Sequence, residues 1–218
     1  MLELRHGHLD LALHELRAGT GLALLLLHAL GEDSSTWETT ELPWPGPVYG
    51  LDFSGHGDSE RAKGVVYLPE YWVGDADAAL IHLESAAILG SGLGAYVAVL
   101  AAGVRPSRVI TCGLLPGHGL AGGGPEPRFD QSAYETFLAP DLPEYPRAGP
   151  RVGIGGATMR PPGYVGPVAR AARALVLGDG DERPPWWQVL RGLDNVALVE
   201  ASPAAVCDGM SACLPRGA

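Results

Sequence analysis

The stretch Ala86-Ala87-Ile88-Leu89-Gly90-Ser91-Gly92-Leu93-Gly94-Ala95-Tyr96-Val97-Ala98 constrains the fold more than any other part of the chain. Small and apolar residues run as a strand into a glycine-rich turn, and an alanine- and valine-rich helix follows at once. Strand, sharp turn and helix in this order form an elbow that holds one side chain exposed above a parallel sheet. The elbow needs small residues two before and two after its central position, because both press on neighbouring backbone. Gly90 and Gly94 meet that need, which makes Gly92 the central position. Moving the centre to Ser91 would put Leu89 and Leu93 in the two crowded places. An elbow is expected, with no side chain at its tip.

The remaining chain alternates between strand-like and helix-like stretches. Residues 2–9 and 10–17 read as two short strands joined by a tight turn, and Leu22–Leu27 as a strand buried on both faces. Residues 34–41 have the form of a helix start capped by Ser34 or Ser35, and Val48–Phe53 that of another strand. Leu68, Trp72, Ala76 and Leu80 stand at helical spacing over 68–83. After the elbow come a strand at Arg108–Leu115, a strand at Ala174–Leu177, a helix at Pro185–Leu193, a strand at Val196–Val199 and a helix at Ala204–Leu214. Between them, residues 116–170 are rich in glycine and proline, with one short helix expected near Ser132–Leu138. Lacking a core of its own, this stretch reads as an irregular cap insertion within a single domain spanning 1–218. The predicted class is α/β: a mostly parallel twisted sheet covered by helices on both faces. Ligands of such sheets bind at the carboxyl ends of the strands. The loops after residues 27, 52 and 91 all leave those ends, so they belong to one site.

Composition narrows the partners. The 218 residues are 46% hydrophobic and 18% charged, enough for a sizeable core. A net charge of −10 without any run of like charge argues against nucleic acid and anionic membrane surfaces, and accords with solubility. Cys112, Cys207 and Cys213 are odd in number and lack metal-ligand spacing, so buried free thiols in a reducing cytoplasm are expected. The N-terminus alternates rather than forming the apolar block of a signal peptide. The apolar run Leu22–Leu27 is far too short to cross a bilayer. No metal or cofactor is implied. There is no phosphate loop, and Gly90-x-Gly92-x-x-Ala95 lacks a downstream ribose-binding acid in a convincing βαβ setting. A small-molecule ligand is the expected partner, and a homodimer is compatible with the chain.

Four pieces in order carry a family resemblance: Leu25-Leu26-Leu27-His28-Ala29-Leu30-Gly31 followed by Trp37, Asp52-x-x-Gly55-His56-Gly57-x-Ser59, the elbow Gly90-x-Gly92-x-Gly94, and Leu175-Val176-Leu177-Gly178-Asp179-Gly180-Asp181. Together they resemble the α/β-hydrolases, in the branch of small esterases, over residues 1–115 and 172–214. The resemblance implies a nucleophile elbow with a serine, an acid after a later strand, a histidine after the last strand, and two backbone N–H donors for an oxyanion hole. Asp181 matches the acid, and Leu30 and Leu93 match the N–H donors, with His28 and Ala29 beside them in the pocket loop. The nucleophile position holds Gly92. Where the histidine belongs the chain reads Val199-Glu200-Ala201-Ser202-Pro203-Ala204, and no histidine follows His118. Loss of a triad nucleophile or base costs on the order of 10⁶ in turnover.

Other groups could stand in for the missing ones. His118, in Pro116-Gly117-His118-Gly119, borders the expected pocket and is either an acid–base group or a solvated loop residue. Asp181 is either a solvated carboxylate or a polar ligand contact. His28 and His56 are expected to be structural, Ser91 to face packing, and Trp37, Tyr71, Trp72, Trp186 and Trp187 to be core or rim aromatics, the last two being able to line a pocket mouth. Three functions follow. The first is a degenerate or repurposed hydrolase-fold protein, a pseudoenzyme toward esters, binding a small mostly apolar molecule; any activity would be of lyase or isomerase type. The second is a hydrolase or acyltransferase with an unconventional site of His118, Asp181 and the Leu30 and Leu93 N–H groups. The third is a non-catalytic interaction subunit.

Overall fold

A computed structural model of the chain describes residues 1–62, 67–119, 161–181 and 184–214. Eight strands form one sheet: β1 (Leu2–His6), β2 (Leu9–Arg17), β3 (Ala23–Leu27), β4 (Val48–Leu51), β5 (Ala86–Ser91), β6 (Val109–Leu115), β7 (Leu175–Asp179) and β8 (Val196–Glu200). Their spatial order is β1-β2-β4-β3-β5-β6-β7-β8. β2 runs antiparallel to β1 and β4, and every pairing from β4 onward is parallel. Among the described residues the helices are α1 (Pro69–His82), α2 (Leu93–Val104), α3 (Val165–Ala171), α4 (Pro185–Leu190) and α5 (Pro203–Ala212).

Alternation along the strands divides the core in two. Leu25 and Leu27 join Trp72, Ile88, Trp186 and the body of α2 on one face. Leu24 and Leu26 join Trp37, Trp44, Leu89, Val206 and Met210 on the other. β3 is buried at all five positions because both faces are covered, which explains its unbroken leucines. α2 likewise buries Leu93 through Ala102, so small residues dominate it and let it lie close to the sheet.

Expected and observed elements differ in three places. The helix anticipated over 34–41 is only a 3-10 turn at Ser34–Trp37, capped by Asp33 rather than by Ser34 or Ser35. The Ser34 N–H is drawn instead to the Asp52 carboxylate at 2.7 Å, and prolines 43, 45 and 47 prevent a helix from continuing. Within the stretch read as irregular, α3 is regular and buries Val165 and Ala169 in the main core, whereas residues 120–160, including the helix expected near 132–138, lie outside the described residues. Of the two places open to Trp186 and Trp187, both take the core and neither lines a pocket mouth. The Trp186 ring meets Tyr96 of α2 edge-on at 5.1 Å.

Cys112 and Cys207 are buried, and burial pushes both thiols up, so they remain protonated; Cys213 is exposed. No helix among the described residues is long and apolar enough to cross a membrane.

A polar clasp ties the edge of the sheet to α1. Asp75 is fully buried and accepts from the Ser54 N–H (2.8 Å), the Ser54 hydroxyl (2.7 Å) and His6 Nδ1 (2.7 Å). The bond to Asp75 raises the His6 pKa above its usual value of 6.5, against an opposing desolvation effect. Because the folded pKa lies above the unfolded one, the clasp's contribution is complete below pH 6.5 and is lost as pH rises through the folded value. Urea midpoints of the native protein and His6→Gln should therefore differ more at pH 5.5 than at pH 8.5. An equal difference at both values would show that the imidazole acts only by packing.

Candidate functional site

The carboxyl ends of β3, β5, β6 and β7 lie side by side in the sheet and deliver four loops to one place. At the centre, β5 turns into α2 through Gly92, whose φ of +56° and ψ of −118° are the strained geometry of an elbow tip. The two neighbouring glycines have the role their spacing suggests. A Cβ on Gly90 would sit 2.2 Å from the Gly94 carbonyl oxygen, and one on Gly94 would sit 2.2 Å from that of Leu27. This crowding forces the register centred on residue 92. Ser91 faces away from the tip, its hydroxyl donating to the Pro116 carbonyl at 3.1 Å.

The loop after β3 presents the Leu30 N–H, and two buried histidines hold it. His28 Nδ1–H donates to the Ala29 carbonyl (2.8 Å), while its Nε2 accepts from the Phe53 N–H (3.1 Å). His56 Nε2 accepts from the Gly31 N–H at 3.3 Å. The peptides on both sides of Leu30 are thus gripped. Burial pushes the His28 pKa down, and burial with His28 as neighbour holds that of His56 far below its ordinary value. Both rings are neutral and structural, since each has one nitrogen accepting a backbone N–H.

The Leu30 N–H and the Leu93 N–H, the latter opening α2, converge on a single oxygen. That oxygen is the backbone carbonyl of His118, at 3.1 Å from Leu30 N and 2.9 Å from Leu93 N. The N-terminal end of α2 adds its dipole to the same attraction. The loop after β6 therefore lies directly over the elbow, and Gly92 N–H donates to Leu115 O beneath it at 3.1 Å. A Cβ on Gly92 would meet the His118 oxygen at 2.1 Å and the Gly117 carbonyl carbon at 2.6 Å. The place where a side chain on residue 92 would begin is filled by backbone.

The imidazole of His118 is exposed, and so is Asp181, on the loops that leave the adjacent strands β6 and β7. Asp179, two residues earlier at the end of β7, pairs with the Arg191 guanidinium at 2.6 Å. Between β8 and α5 stands Ser202, whose hydroxyl caps α5 by accepting from the Ala205 N–H at 3.2 Å. Replacing Ser202 with alanine should cost about 1 kcal/mol in chemical denaturation, as the loss of an N-cap typically does. The Asp52-to-Ser59 motif is a brace. Asp52 accepts from the Ser34 and Asp58 N–H groups, and the Ser59 hydroxyl donates to the Asp52 carbonyl at 2.6 Å. Burial is the largest single influence on the Asp52 carboxyl and acts to raise its pKa, but the hydrogen bonds from Ser34 and Asp58, with His28 nearby, together hold it below its usual value. His14, Asp52 and Asp58 bring metal-ligand atoms within 4.8 Å of one another, but the Asp52 oxygens already accept backbone N–H groups.

The residue that sequence reasoning valued for its imidazole thus contributes its carbonyl oxygen instead. The available signal was Gly117 and Gly119 on either side of it, since paired glycines mark backbone in close contact.

The strand order, the antiparallel second strand and the glycine elbow after β5 define the α/β-hydrolase fold. The hypothetical protein PA1622 of Pseudomonas aeruginosa PAO1 superposes with a TM-score of 0.70 at 19% identity, over 97% of this chain and 95% of that one. Est816, described as an N-acyl homoserine lactone degrading enzyme, gives 0.65 at 16% identity, over 96% and 95%. The bottromycin epimerase BotH, solved with bottromycin A2, gives 0.61 at 21%, over 97% and 94%. By sequence, 85 residues are 33% identical to the uncharacterized proteins Rv2715 of Mycobacterium tuberculosis and Mb2734 of Mycobacterium bovis, covering 38% of this chain. The match spans about a quarter (25%) of the length of those curated relatives. No protein-family model matches the chain.

Proposed function

We propose that this protein is a repurposed α/β-hydrolase-fold protein that binds a small, mostly apolar molecule beside the elbow and forms no acyl-enzyme. The observation that carries this reading is the His118 carbonyl seated over Gly92, bonded to the N–H groups of Leu30 and Leu93. Ester hydrolysis by the family's route needs a nucleophile at residue 92 and an empty pair of donors beside it. This chain has a glycine at that position and a peptide oxygen on the donors. Ser202 caps a helix where a base would stand. The fold also supports chemistry without hydrolysis, as the epimerase description of BotH illustrates. Confinement and directed hydrogen bonds suffice for isomerisation or elimination in a dry site.

A second reading draws on the exposed His118 and Asp181 side chains at adjacent strand ends, acting on a carbonyl held by Leu30 and Leu93. It requires the 116–119 loop to leave its place. Turnover of p-nitrophenyl acetate and butyrate, with phosphonate labelling in parallel, separates the two. We expect neither turnover nor label. Turnover abolished by His118→Ala would favour the unconventional hydrolase, and a phosphonate adduct at any serine of the elbow would overturn the main reading.

A further inference from the structure

We propose that His14, Asp52 and Asp58 bind one divalent transition-metal ion of the zinc type, which fastens β2 to the turn that follows β4. None of the three side chains enters the hydrogen bonds around Gly92. The site is therefore independent of what the elbow does.

The fold gathers these residues from separate places. His14 stands on β2 opposite Gly50 of β4, so no side chain of that strand lies directly across from it. Asp52 follows the end of β4, and Asp58 comes just after the Gly57 bend, where φ is +48°. His14 Nε2 is 3.2 Å from Asp52 Oδ2 and 3.8 Å from Asp58 Oδ2, and the ligand atoms of all three lie within 4.8 Å of one another. A tetrahedral ion at about 2.0–2.1 Å from its nitrogen and oxygen ligands separates them by about 3.3–3.4 Å. The His14–Asp52 pair already has that spacing, and rotation of the exposed Asp58 carboxylate brings in the third ligand.

Asp52 is oriented in advance. Its Oδ1 accepts the Ser34 N–H at 2.7 Å and its Oδ2 the Asp58 N–H at 2.9 Å, the kind of backing that fixes a ligating carboxylate. An ionised carboxylate oxygen has two lone pairs, so these bonds leave one on Oδ2, within reach of His14. A Cβ on Gly57 would lie 2.1 Å from that same oxygen, and the glycine keeps its surroundings open.

Charge and exposure point to a cation. Among the described residues, His14 is the one basic side chain paired with Asp52 or Asp58; no lysine or arginine meets either. A buried carboxylate without a basic partner gains from a metal ion. One imidazole with two carboxylates suits zinc, nickel or cobalt, whereas magnesium takes oxygen ligands. Side-chain exposure falls from 68% at Asp58 to 24% at His14 and 3% at Asp52, which gives the ion a path in from solvent. Three protein ligands leave a position for water.

Untagged, chelator-treated protein titrated calorimetrically with zinc chloride should take up one equivalent. Its melting temperature should rise by about 5–10 °C at a zinc concentration one hundred times the dissociation constant. Magnesium chloride at the same concentration should leave it unchanged. His14→Gln and Asp58→Asn should each weaken zinc binding by about tenfold or more. His8→Ala, in the exposed turn between β1 and β2, should not alter it. The proposal is overturned by no uptake, by native affinity in His14→Gln or Asp58→Asn, by loss of binding in His8→Ala, or by magnesium acting as zinc does. The native protein also decides without any variant: the His14 Nε2 resonance of ¹⁵N-labelled protein should move on zinc binding, and an unmoved resonance overturns the proposal equally.

Discussion

Gly92→Ser is expected to destabilise the protein rather than restore ester hydrolysis. The new Cβ would lie 2.1 Å from the His118 oxygen, so the 116–119 loop must leave. Its departure breaks the bonds from Leu30 and Leu93, each worth about 0.5–1.5 kcal/mol net. A side chain at φ +56° adds strain of about 1–3 kcal/mol. Together these come to about 2–6 kcal/mol, a large share of the roughly 5–15 kcal/mol that a domain of ordinary stability possesses. A urea midpoint lowered by about 1–2 M would register it. No base is regained, because Ser202 still caps α5 where the histidine would be needed. A variant as stable as the native protein would show that the loop leaves its seat at no cost, while measurable ester turnover would mean that a base has been overlooked.

Asp75→Ala should lose about 3–5 kcal/mol, the range seen when one partner of a buried charged network is removed. The carboxylate, carried on α1, is fully buried and serves three donors on two other segments: β1 through His6, and the loop after β4 through the N–H and hydroxyl of Ser54. Alanine would strand the buried Ser54 N–H and hydroxyl without acceptors, and water reaches them only by loosening α1 from the sheet. Asp75→Asn keeps the volume and one acceptor oxygen, so its loss should be smaller. If Asp75→Ala changed the denaturation midpoint no more than a surface substitution does, the clasp would have no energetic role. Because the clasp lies beneath the 52–59 brace and His56, its loss should also blur the amide signal of Leu30.

Much of the fold could be read along the chain because burial leaves a periodic mark. The five consecutive apolar residues of β3, the helical spacing of Trp72, Ala76 and Leu80, and the small residues flanking residue 92 each report a local packing demand. The structural role of His28 and His56 was likewise expected, the first from the family resemblance and the second from its Gly55-His56-Gly57 turn. Tertiary context decided the rest. At the 34–37 turn, Asp52, distant in sequence, accepts the Ser34 N–H and Asp33 takes the cap that Ser34 or Ser35 was expected to provide. Trp186 went inward against Tyr96 of α2, and Trp187 meets Trp186 edge-on beside it. The seat of the His118 carbonyl over Gly92 had only the indirect signal of flanking glycines, since every residue carries a carbonyl and its role depends on which donors the folded chain brings within 3.1 Å of it.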